Sequence, residues 1–246
     1  MLSWFRKQGR KKAPSSVEAI QLRARDCHSH VLPGVDDGSR TLDESLDMLR
    51  LLQDEGVQRV IATSHIYPGR FPNERENLQP VFDTLVESAS AAGLTIELEL
   101  GAEHYLDDSL GPRVESGQHI EFGPERYVLF ETHTFDQVPT SLFTTVATMR
   151  DRGLTPLMAH VERYQYLSGA EGWEVIEDLR AIGVKFQVNR TIGKINVPGE
   201  GRRGRMLEKL ARSGYIDEVG SDLHRATPEG RPYAMPNTVN NPVNAP

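Results

Sequence analysis

Short apolar segments alternate with longer amphipathic segments along most of this chain. A short apolar segment is typical of a buried strand, and apolar residues at helical spacing are typical of a surface helix. The clearest helix begins at a capping box formed by Thr41 and Glu44 and ends at Gly56. Seven strands are predicted, at residues 22–27, 57–63, 94–100, 127–130, 155–159, 184–188 and 218–221. Further helices are predicted at residues 75–92, 141–152, 173–182 and 205–213.

Seven strands, five of them followed by a predicted helix, make about seven βα-type units and indicate a parallel sheet that closes, or nearly closes, into a barrel. The 246 residues suffice for one such domain, and no linker separates the units. We therefore predict an α/β fold with a single domain over residues 22–232. Residues 1–21 are predicted to form a basic, disordered tail, and residues 233–246 a second tail rich in proline and asparagine.

Charge is distributed unevenly along the chain. Acidic residues outnumber basic ones by seven, yet seven of the 28 lysines and arginines lie within the first 25 positions. An acidic body argues against a protein that coats nucleic acid, so no nucleic-acid partner is predicted. The basic tail also carries Trp4 and Phe5. The alternative to a disordered, solvated tail is that these residues and the neighbouring bases make a weak contact with an anionic membrane or a partner.

Cysteine content and hydropathy bear on the compartment. Cys27 is the only cysteine, which excludes an internal disulfide framework and is typical of the reducing cytoplasm. The sequence has no apolar run of the roughly 20 residues that a membrane-spanning helix needs. Its basic start is not followed by an apolar stretch, so no secretory signal is predicted. We therefore expect a cytoplasmic protein.

Six of the seven predicted strands end in histidine, aspartate or glutamate. Active sites of parallel barrels lie at the carboxyl ends of the strands. Imidazole and carboxylate groups bind Zn²⁺, Mn²⁺ and Fe, and nine of them exceed what one ion can use. The sequence therefore predicts two or three adjacent metal ions. The candidate ligands are His28, His30, Asp37, His65, Glu103, Glu131, His160, Asp222 and His224.

Other residues that could carry chemistry fit less well. His104, His119 and His133 fall outside the strand ends and are predicted to be surface or packing residues. Cys27 is predicted to be a packed residue, because a cysteine phosphatase loop needs arginine six residues later and Pro33 stands there. Residues 199–204 match the dinucleotide-binding pattern by letter, but no strand leads directly into them.

With these residues assembled, the sequence resembles the polymerase-and-histidinol-phosphatase (PHP) family of metal-dependent phosphoesterases. Within that family it is most similar to the bacterial tyrosine-protein phosphatases of capsule and exopolysaccharide operons. The resemblance extends over roughly residues 26–232. The segments that carry it are 28–38 (HSHVLPGVDDG), 62–65 (ATSH), 101–103 (GAE), 129–131 (LFE), 159–164 (AHVERY), 221–224 (SDLH) and 230–232 (GRP).

The resemblance implies a distorted (β/α)7 barrel, a TIM-like PHP fold, with three divalent metal ions that are often manganese. It assigns one ion to His28, His30, Glu103 and Asp222. It assigns a second ion to Glu131 and His160, with Glu103 bridging the first and second ions. It assigns a third ion to Asp37, His65 and His224. It also implies that Arg163 and Arg231 bind the substrate phosphate; the alternative for each is a surface salt bridge. The sequence departs from the family after about Arg231, where a tail replaces a further helix.

The function implied is hydrolysis of protein phosphotyrosine by hydroxide generated at the metal ions. The implied substrate is the phosphotyrosine tail of a tyrosine autokinase that controls capsule or exopolysaccharide synthesis. One alternative is another PHP-type phosphoesterase, acting on histidinol phosphate or a nucleotide. A second alternative is a non-catalytic metal-binding protein, although structural zinc sites are usually rich in cysteine, which this chain is not.

Overall fold

The computed structural model describes residues 24–133, 137–190, 201–226 and 232–233. The strands are β1 (Arg25–Ser29), β2 (Arg59–Ala62), β3 (His65–Ile66), β4 (Glu97–Leu100), β5 (Glu103–Tyr105), β6 (Tyr127–Glu131), β7 (Thr155–Met158), β8 (Lys185–Asn189), β9 (Glu218–Gly220), β10 (Arg225–Ala226) and β11 (Pro232–Tyr233). The helices are α1 (Leu42–Asp54), α2 (Arg75–Ala91), α3 (Leu110–Glu115), α4 (Leu142–Asp151), α5 (Gly169–Ala181) and α6 (Arg202–Arg212). A single 3₁₀ turn, Val161–Arg163, follows β7.

Strands β1 to β9 form two parallel sheets that join into one barrel, and β10 and β11 form a separate antiparallel pair. One sheet has the order β1-β2-β4, and the other has the order β3-β5-β6-β7-β8-β9. Two strands are shared between the sheets, since β2 continues into β3 and β4 continues into β5 after breaks of two residues. Beyond β9, a parallel bridge between Ser29 and Leu223 brings the last strand back to β1. Seven strand positions result, and the predicted (β/α)7 barrel is confirmed.

Side chains alternate between the barrel interior and the helical layer. Val128 and Phe130 of β6 belong to a large cluster beneath α4, α5 and α6, and Val60 and Ala62 of β2 belong to a second cluster beneath α1 and α2. Residues between them face inward, because successive strand residues point to opposite faces. The interior cluster consists of Cys27, Ile61, Phe122, Tyr127, Leu129, Leu157 and Ala159. This apolar plug fills one end of the barrel and leaves the carboxyl end for polar groups.

The break between β4 and β5 has a steric cause. Gly101 packs so closely that a Cβ atom there would lie 2.9 Å from both Ile61 Cγ2 and Phe122 Cδ1. Its backbone amide still donates to Ala62 O at 2.9 Å, so the chain bends without leaving the sheet. The bend turns Glu103, two residues later, into the mouth of the barrel.

Several element boundaries differ from the predicted ones. Helix α3 was not predicted, since its six residues include Gly111 and Pro112. Helix α5 begins four residues before the predicted start at Trp173, and α6 begins three residues before the predicted start at Arg205. Thr41 caps α1 as predicted, accepting from the Glu44 amide at 3.2 Å. The predicted tails lie outside the described residues except for Tyr233, which belongs to β11.

Within the described ranges, every helix is too short or too polar to cross a membrane.

Candidate metal centre

All nine predicted ligands lie in described segments and meet in one cluster at the carboxyl end of the barrel. Their ligand atoms form four overlapping groups, in each of which all atoms lie within 4.8 Å of one another. The groups are His30, Asp37, His65 and His224; His28, His160 and Asp222; His28, His30 and Glu103; and His65, Glu103 and Glu131. Residues that are up to 196 positions apart in the chain therefore face the same small volume. Their assignment to individual ions stays a prediction.

Glu103 is at the centre of this cluster. Its Oε2 atom lies 3.1 Å from His28 Nε2, 3.3 Å from His30 Nε2 and 3.2 Å from His65 Nδ1. Its Oε1 atom lies 3.0 Å from His160 Nε2. The two oxygens of one buried carboxylate thus face different histidines, which is the arrangement that a bridging ligand requires.

Asp222 and Asp37 face different pairs of histidines and share His224. Asp222 Oδ1 lies 3.5 Å from His28 Nε2 and 3.4 Å from His30 Nε2. Asp37 Oδ1 lies 3.5 Å from the Nε2 atoms of both His65 and His224. The grouping of Asp37, His65 and His224 agrees with the set that the family resemblance implies for one ion. His30 joins that set in the structure, although the resemblance places it with another ion.

The backbone is strained at two of the predicted ligands. His160 has a φ of 32° and Asp222 a φ of 51°, both in the left-handed region that non-glycine residues rarely adopt. Of the residues that the structure describes, Arg126 is the one other non-glycine residue with positive φ. Strained backbone of this kind persists where the surroundings hold it, and it is concentrated at functional sites. Here it directs both side chains into the cluster.

Two side chains that were not predicted to act at the site orient its histidines. Asp36 Oδ2 lies 2.9 Å from His30 Nδ1 and accepts from the His65 backbone amide at 3.0 Å. Gln187 Oε1 lies 3.1 Å from His28 Nδ1 and accepts from the His160 backbone amide at 2.7 Å. With their Nδ1 atoms engaged, His28 and His30 present Nε2 to the centre, as metal-binding histidines commonly do.

Gly38 allows the Asp36 segment to approach His30. A Cβ atom at Gly38 would lie 2.4 Å from both the Cβ and the carbonyl oxygen of His30. The Gly38 amide also donates to Asp36 Oδ1 at 2.9 Å. The Asp-Asp-Gly sequence therefore supplies an orienting carboxylate, a predicted ligand and a residue without a side chain, in that order.

Charge coupling within the cluster is strong. Burial opposes the charged form of His65, but the carboxylates of Glu103 and Glu131 outweigh it and raise its pKa to about 9. Burial likewise opposes ionisation of Glu103, yet the neighbouring histidines hold its pKa well below the usual value. Histidines and carboxylates that face one another in this cluster therefore favour their charged forms. Because a histidine must lose its proton before it can bind a cation, protons compete with any cation for this site.

The donor set fits divalent metal ions. The cluster brings five imidazoles and four carboxylates together. Asp37 Oδ1 and His65 Nδ1 are buried and make no hydrogen bond within the part of the chain that the structure describes. These atoms face oppositely charged groups at 3.2 to 3.5 Å without forming hydrogen bonds to them. Buried polar atoms without hydrogen bonds are costly, and a cation coordinated by them removes that cost. Nitrogen and oxygen donors in this mixture suit Mn²⁺, Fe or Zn²⁺.

The two predicted phosphate-binding arginines differ in what the structure describes. Arg163 lies at the edge of the cluster, where its Nη2 is 2.6 Å from Asp222 Oδ2 and its side chain is 30% exposed. Asn189 Nδ2 donates to the same oxygen at 2.7 Å. Arg163 is thus paired with a predicted ligand and partly open to solvent. Arg231 lies outside the described residues.

The residues that were predicted to lie outside the site do so. His104 is fully buried among backbone groups, and His119 faces Glu121 at 3.4 Å. His133 belongs to none of the ligand groups. Cys27 is fully buried, and its Sγ donates to Val219 O at 3.4 Å, as expected of a packed residue.

Comparison with known proteins adds relatives that span most of the chain. Tyrosine-protein phosphatase CpsB of Streptococcus pneumoniae is 29% identical over 218 residues, which cover 85% of this chain and 86% of that protein. Tyrosine-protein phosphatase YwqE of Bacillus subtilis is 26% identical over 203 residues, which cover 81% of this chain and 76% of that protein.

A solved structure shares the barrel fold. It comes from a study of YwqE from Bacillus subtilis and CpsB from Streptococcus pneumoniae, described as unique metal-dependent tyrosine phosphatases. It matches with a TM-score of 0.72 and 22% identity, covering 82% of this chain and 80% of that one. The sequence profile of the capsular polysaccharide synthesis family CpsB/CapC matches residues 24–240. The chain therefore belongs to the CpsB/CapC family.

Proposed function

We propose that this chain is a metal-dependent protein-tyrosine phosphatase that acts in capsule or exopolysaccharide synthesis. The observation that carries the proposal is the convergence of nine histidine and carboxylate groups at the carboxyl end of one barrel. Relatives that match over four-fifths of the chain are named tyrosine-protein phosphatases, which supports the same reaction.

Three divalent ions are the proposed cofactor, with manganese as the first choice and iron or zinc as the alternatives. His28, His30, Glu103 and Asp222 would hold one ion, and Glu131 and His160 would hold a second together with Glu103. Asp37, His65 and His224 would hold the third. Such ions, when bound, supply Lewis-acid polarisation of phosphoryl oxygens and increase the acidity of a nearby water.

The chain's own residues would bind and orient the phosphate. Arg163 has the guanidinium fork that makes bidentate contacts with phosphate oxygens, and its side chain is partly exposed beside the cluster. Asp222 holds that guanidinium in place, and Asn189 in turn donates a hydrogen bond to the Asp222 carboxylate. Arg231 is proposed as a second phosphate contact on the strength of its sequence motif.

A phenolic leaving group suits this site. A tyrosine phenolate, with a pKa of about 10, departs more readily than an alkoxide and needs little protonation. The residues proposed above include no dedicated general acid, so a substrate that requires one would react more slowly. This difference favours phosphotyrosine over alkyl phosphates such as histidinol phosphate.

The proposed substrate is a phosphotyrosine on the mobile tail of a tyrosine autokinase in the cytoplasm. The basic segment at residues 6–12 would raise the local concentration of the phosphatase near anionic lipid or the kinase. Deleting residues 1–20 should leave turnover of a phosphotyrosine peptide unchanged, because every proposed ligand lies beyond them. It should slow dephosphorylation of the membrane-bound kinase at low ionic strength, whereas equal rates would contradict the role of the tail.

The reaction is tested by comparing substrates on the same Mn²⁺-loaded preparation. We expect phosphate release from a phosphotyrosine peptide at a kcat/KM well above that for histidinol phosphate or a nucleoside monophosphate. The reverse order would favour another PHP-type phosphoesterase. Binding of Mn²⁺ without turnover of any of these substrates would favour a non-catalytic metal-binding protein.

A further inference from the structure

Three aromatic rings line one side of the barrel mouth, outside the cluster of predicted ligands. Tyr67 and Tyr105 stack face to face, with ring centroids 3.9 Å apart and planes 7° apart. Phe71 stacks on His65 with centroids 5.4 Å apart and the same angle between planes. All three rings are partly exposed. We refer to Tyr67, Phe71 and Tyr105 as the aromatic wall.

Strand register places this wall one layer above His65 and Glu103, at the level of Glu131. His65 lies opposite Glu103 in the pairing of β3 with β5. Tyr105 follows Glu103 by two positions within β5 and shares its inward face, and Tyr67, just beyond β3, stacks on Tyr105. Tyr105 in turn lies opposite Glu131 of β6. Two residues of strand correspond to about 6.6 Å, which sets the height of the rings above the Glu103 layer.

The segment that carries the wall is held by several contacts. Tyr67 and Phe71 exchange backbone hydrogen bonds of 2.9 and 2.8 Å. Asn73 Nδ2 donates to His65 O at 2.8 Å. The Arg70 guanidinium lies 4.9 Å from the Phe71 ring centroid and 3.4 Å from Asp37 Oδ2. The rings of Tyr67 and Phe71 are therefore placed by the same segment that presents His65, and the ring of Tyr105 is placed by the strand that presents Glu103.

We propose that the aromatic wall receives the phenyl ring of phosphotyrosine and makes the site selective for aryl over alkyl phosphates. This inference rests on the proposed function. In phosphotyrosine one ester oxygen separates the phosphorus from the ring, so a phosphate held in the layer of Glu103 places the ring in the next layer outward. Aromatic side chains there offer stacking or edge contacts that a short alkyl ester does not make.

Binding of two phosphonates tests the wall without relying on turnover. Benzylphosphonate carries a phenyl ring at the spacing found in phosphotyrosine, whereas methylphosphonate presents the same anionic group without a ring. We expect calorimetry on the Mn²⁺-loaded full chain to show preferential binding of benzylphosphonate. Tyr67→Leu should reduce this preference roughly 3- to 10-fold, and Tyr67→Phe should preserve it. Affinity for methylphosphonate should be unchanged in both variants.

The matched control is Tyr215→Leu, which also removes one ring of a stacked pair. Tyr215 stacks on Trp173 and precedes β9, so it lies away from the barrel mouth. The preference should stay at the wild-type value in this variant. Phe71→Leu provides a second wall variant if Tyr67→Leu does not fold, and metal content confirms that the ligand layer is intact in each protein.

Two results separate this inference from the proposed function. Equal affinity of the wild-type protein for both phosphonates, or a preference unchanged in both Tyr67→Leu and Phe71→Leu, would overturn the wall even if phosphotyrosine is hydrolysed. A wild-type preference for benzylphosphonate that falls in the wall variants would support the wall. If that same protein hydrolysed no phosphotyrosine, the proposed function would be contradicted independently.

Discussion

Consecutive residues on β5 show two different uses of a buried polar side chain. Glu103 faces the barrel interior, where its carboxylate lies within 3.3 Å of four histidines. His104 faces the opposite side, where its Nδ1 lies 3.0 Å from Leu129 O and its Nε2 accepts from the Ile120 amide at 3.2 Å. Both side chains are at most 1% exposed, so burial does not distinguish them.

The difference lies in what each side chain faces. Backbone groups use both ring nitrogens of His104, which leaves no lone pair for a ligand, and burial lowers its pKa to about 4. Glu103 faces ionisable side chains, which keep it charged and leave it able to coordinate a cation. A buried polar residue is thus a candidate ligand when its partners are other titratable side chains, and a packing residue when its partners are backbone groups.

Replacing Glu103 should have the largest effect. In Glu103→Gln the shape is kept, but the charge facing four histidines is removed, so we expect loss of bound metal and a fall in phosphotyrosine turnover of at least about 100-fold. The measurement is metal content by elemental analysis together with kcat/KM. His119→Ala, which changes a histidine outside the ligand groups, serves as the control. Wild-type metal content in Glu103→Gln would show that the ligand assignment is wrong.

Removing an orienting side chain should have an intermediate effect. Gln187→Ala frees His28 Nδ1 and the His160 amide from their shared acceptor while leaving all nine predicted ligands in place. We expect affinity for Mn²⁺ to fall about 10- to 100-fold, as is typical when the partner of a ligand histidine is lost. Titration with Mn²⁺ measures this, with the exposed Gln58→Ala as control. Unchanged affinity would mean that Gln187 only packs.

The two kinds of histidine should give opposite pH dependence in metal-free protein. The pKa of His104 is about 4 in the folded protein and about 6.5 in the unfolded chain, so neutral His104 stabilises the fold above about pH 6.5. This stability, up to about 3 kcal/mol, is lost as pH falls through about 4. The pKa of His65 is about 9 in the folded protein and about 6.5 in the unfolded chain, so protonated His65 stabilises the fold below about pH 6.5. This stability is lost as pH rises through about 9. Urea unfolding of chelated protein across this range measures both windows.

Two comparisons assign these windows to the residues named. His104→Leu should be less stable at neutral pH, because Leu129 O and the Ile120 amide lose their partner, but should show less of the additional loss in acid. Saturation with Mn²⁺ should remove the alkaline loss, since the metal replaces the protons. An alkaline window that persists at saturating Mn²⁺ would contradict the placement of His65 among the ligands.

The smallest effect is expected at Cys27. Cys27→Ser keeps a small side chain with a donor for Val219 O but places a more polar group in a buried position. We therefore expect stability to fall by only about 1 kcal/mol and turnover to stay near the wild-type value. Thermal unfolding and kcat/KM measure the two quantities. Loss of turnover in a correctly folded variant would indicate a thiol nucleophile and contradict the metal-dependent reaction.

Periodicity and strand ends were sufficient to predict the barrel and most of its candidate ligands, whereas the choice of Asp37 over Asp36 came from the family resemblance. Each strand of a parallel barrel ends in the same region, so a list of residues after apolar segments is also a list of neighbours in space. The roles of Asp36 and Gln187 could not be predicted in this way. Gln187 lies within β8. Its role depends on its contacts with His28 Nδ1 in β1 and with the His160 amide after β7, and the order of residues does not show these contacts. The aromatic wall depends on register between β3 and β5 in the same way.

The arrangement of ions in the cluster can be measured directly by anomalous diffraction from crystals grown with Mn²⁺. The structure predicts up to three peaks at the carboxyl end of the barrel, with Glu103 contacting two of them. His28 and Asp222 should share one ion although they lie almost two hundred residues apart in the chain. A cluster without anomalous density in crystals that hold Mn²⁺ elsewhere, or peaks that do not contact Glu103, would contradict the metal centre on which the proposed phosphatase activity depends.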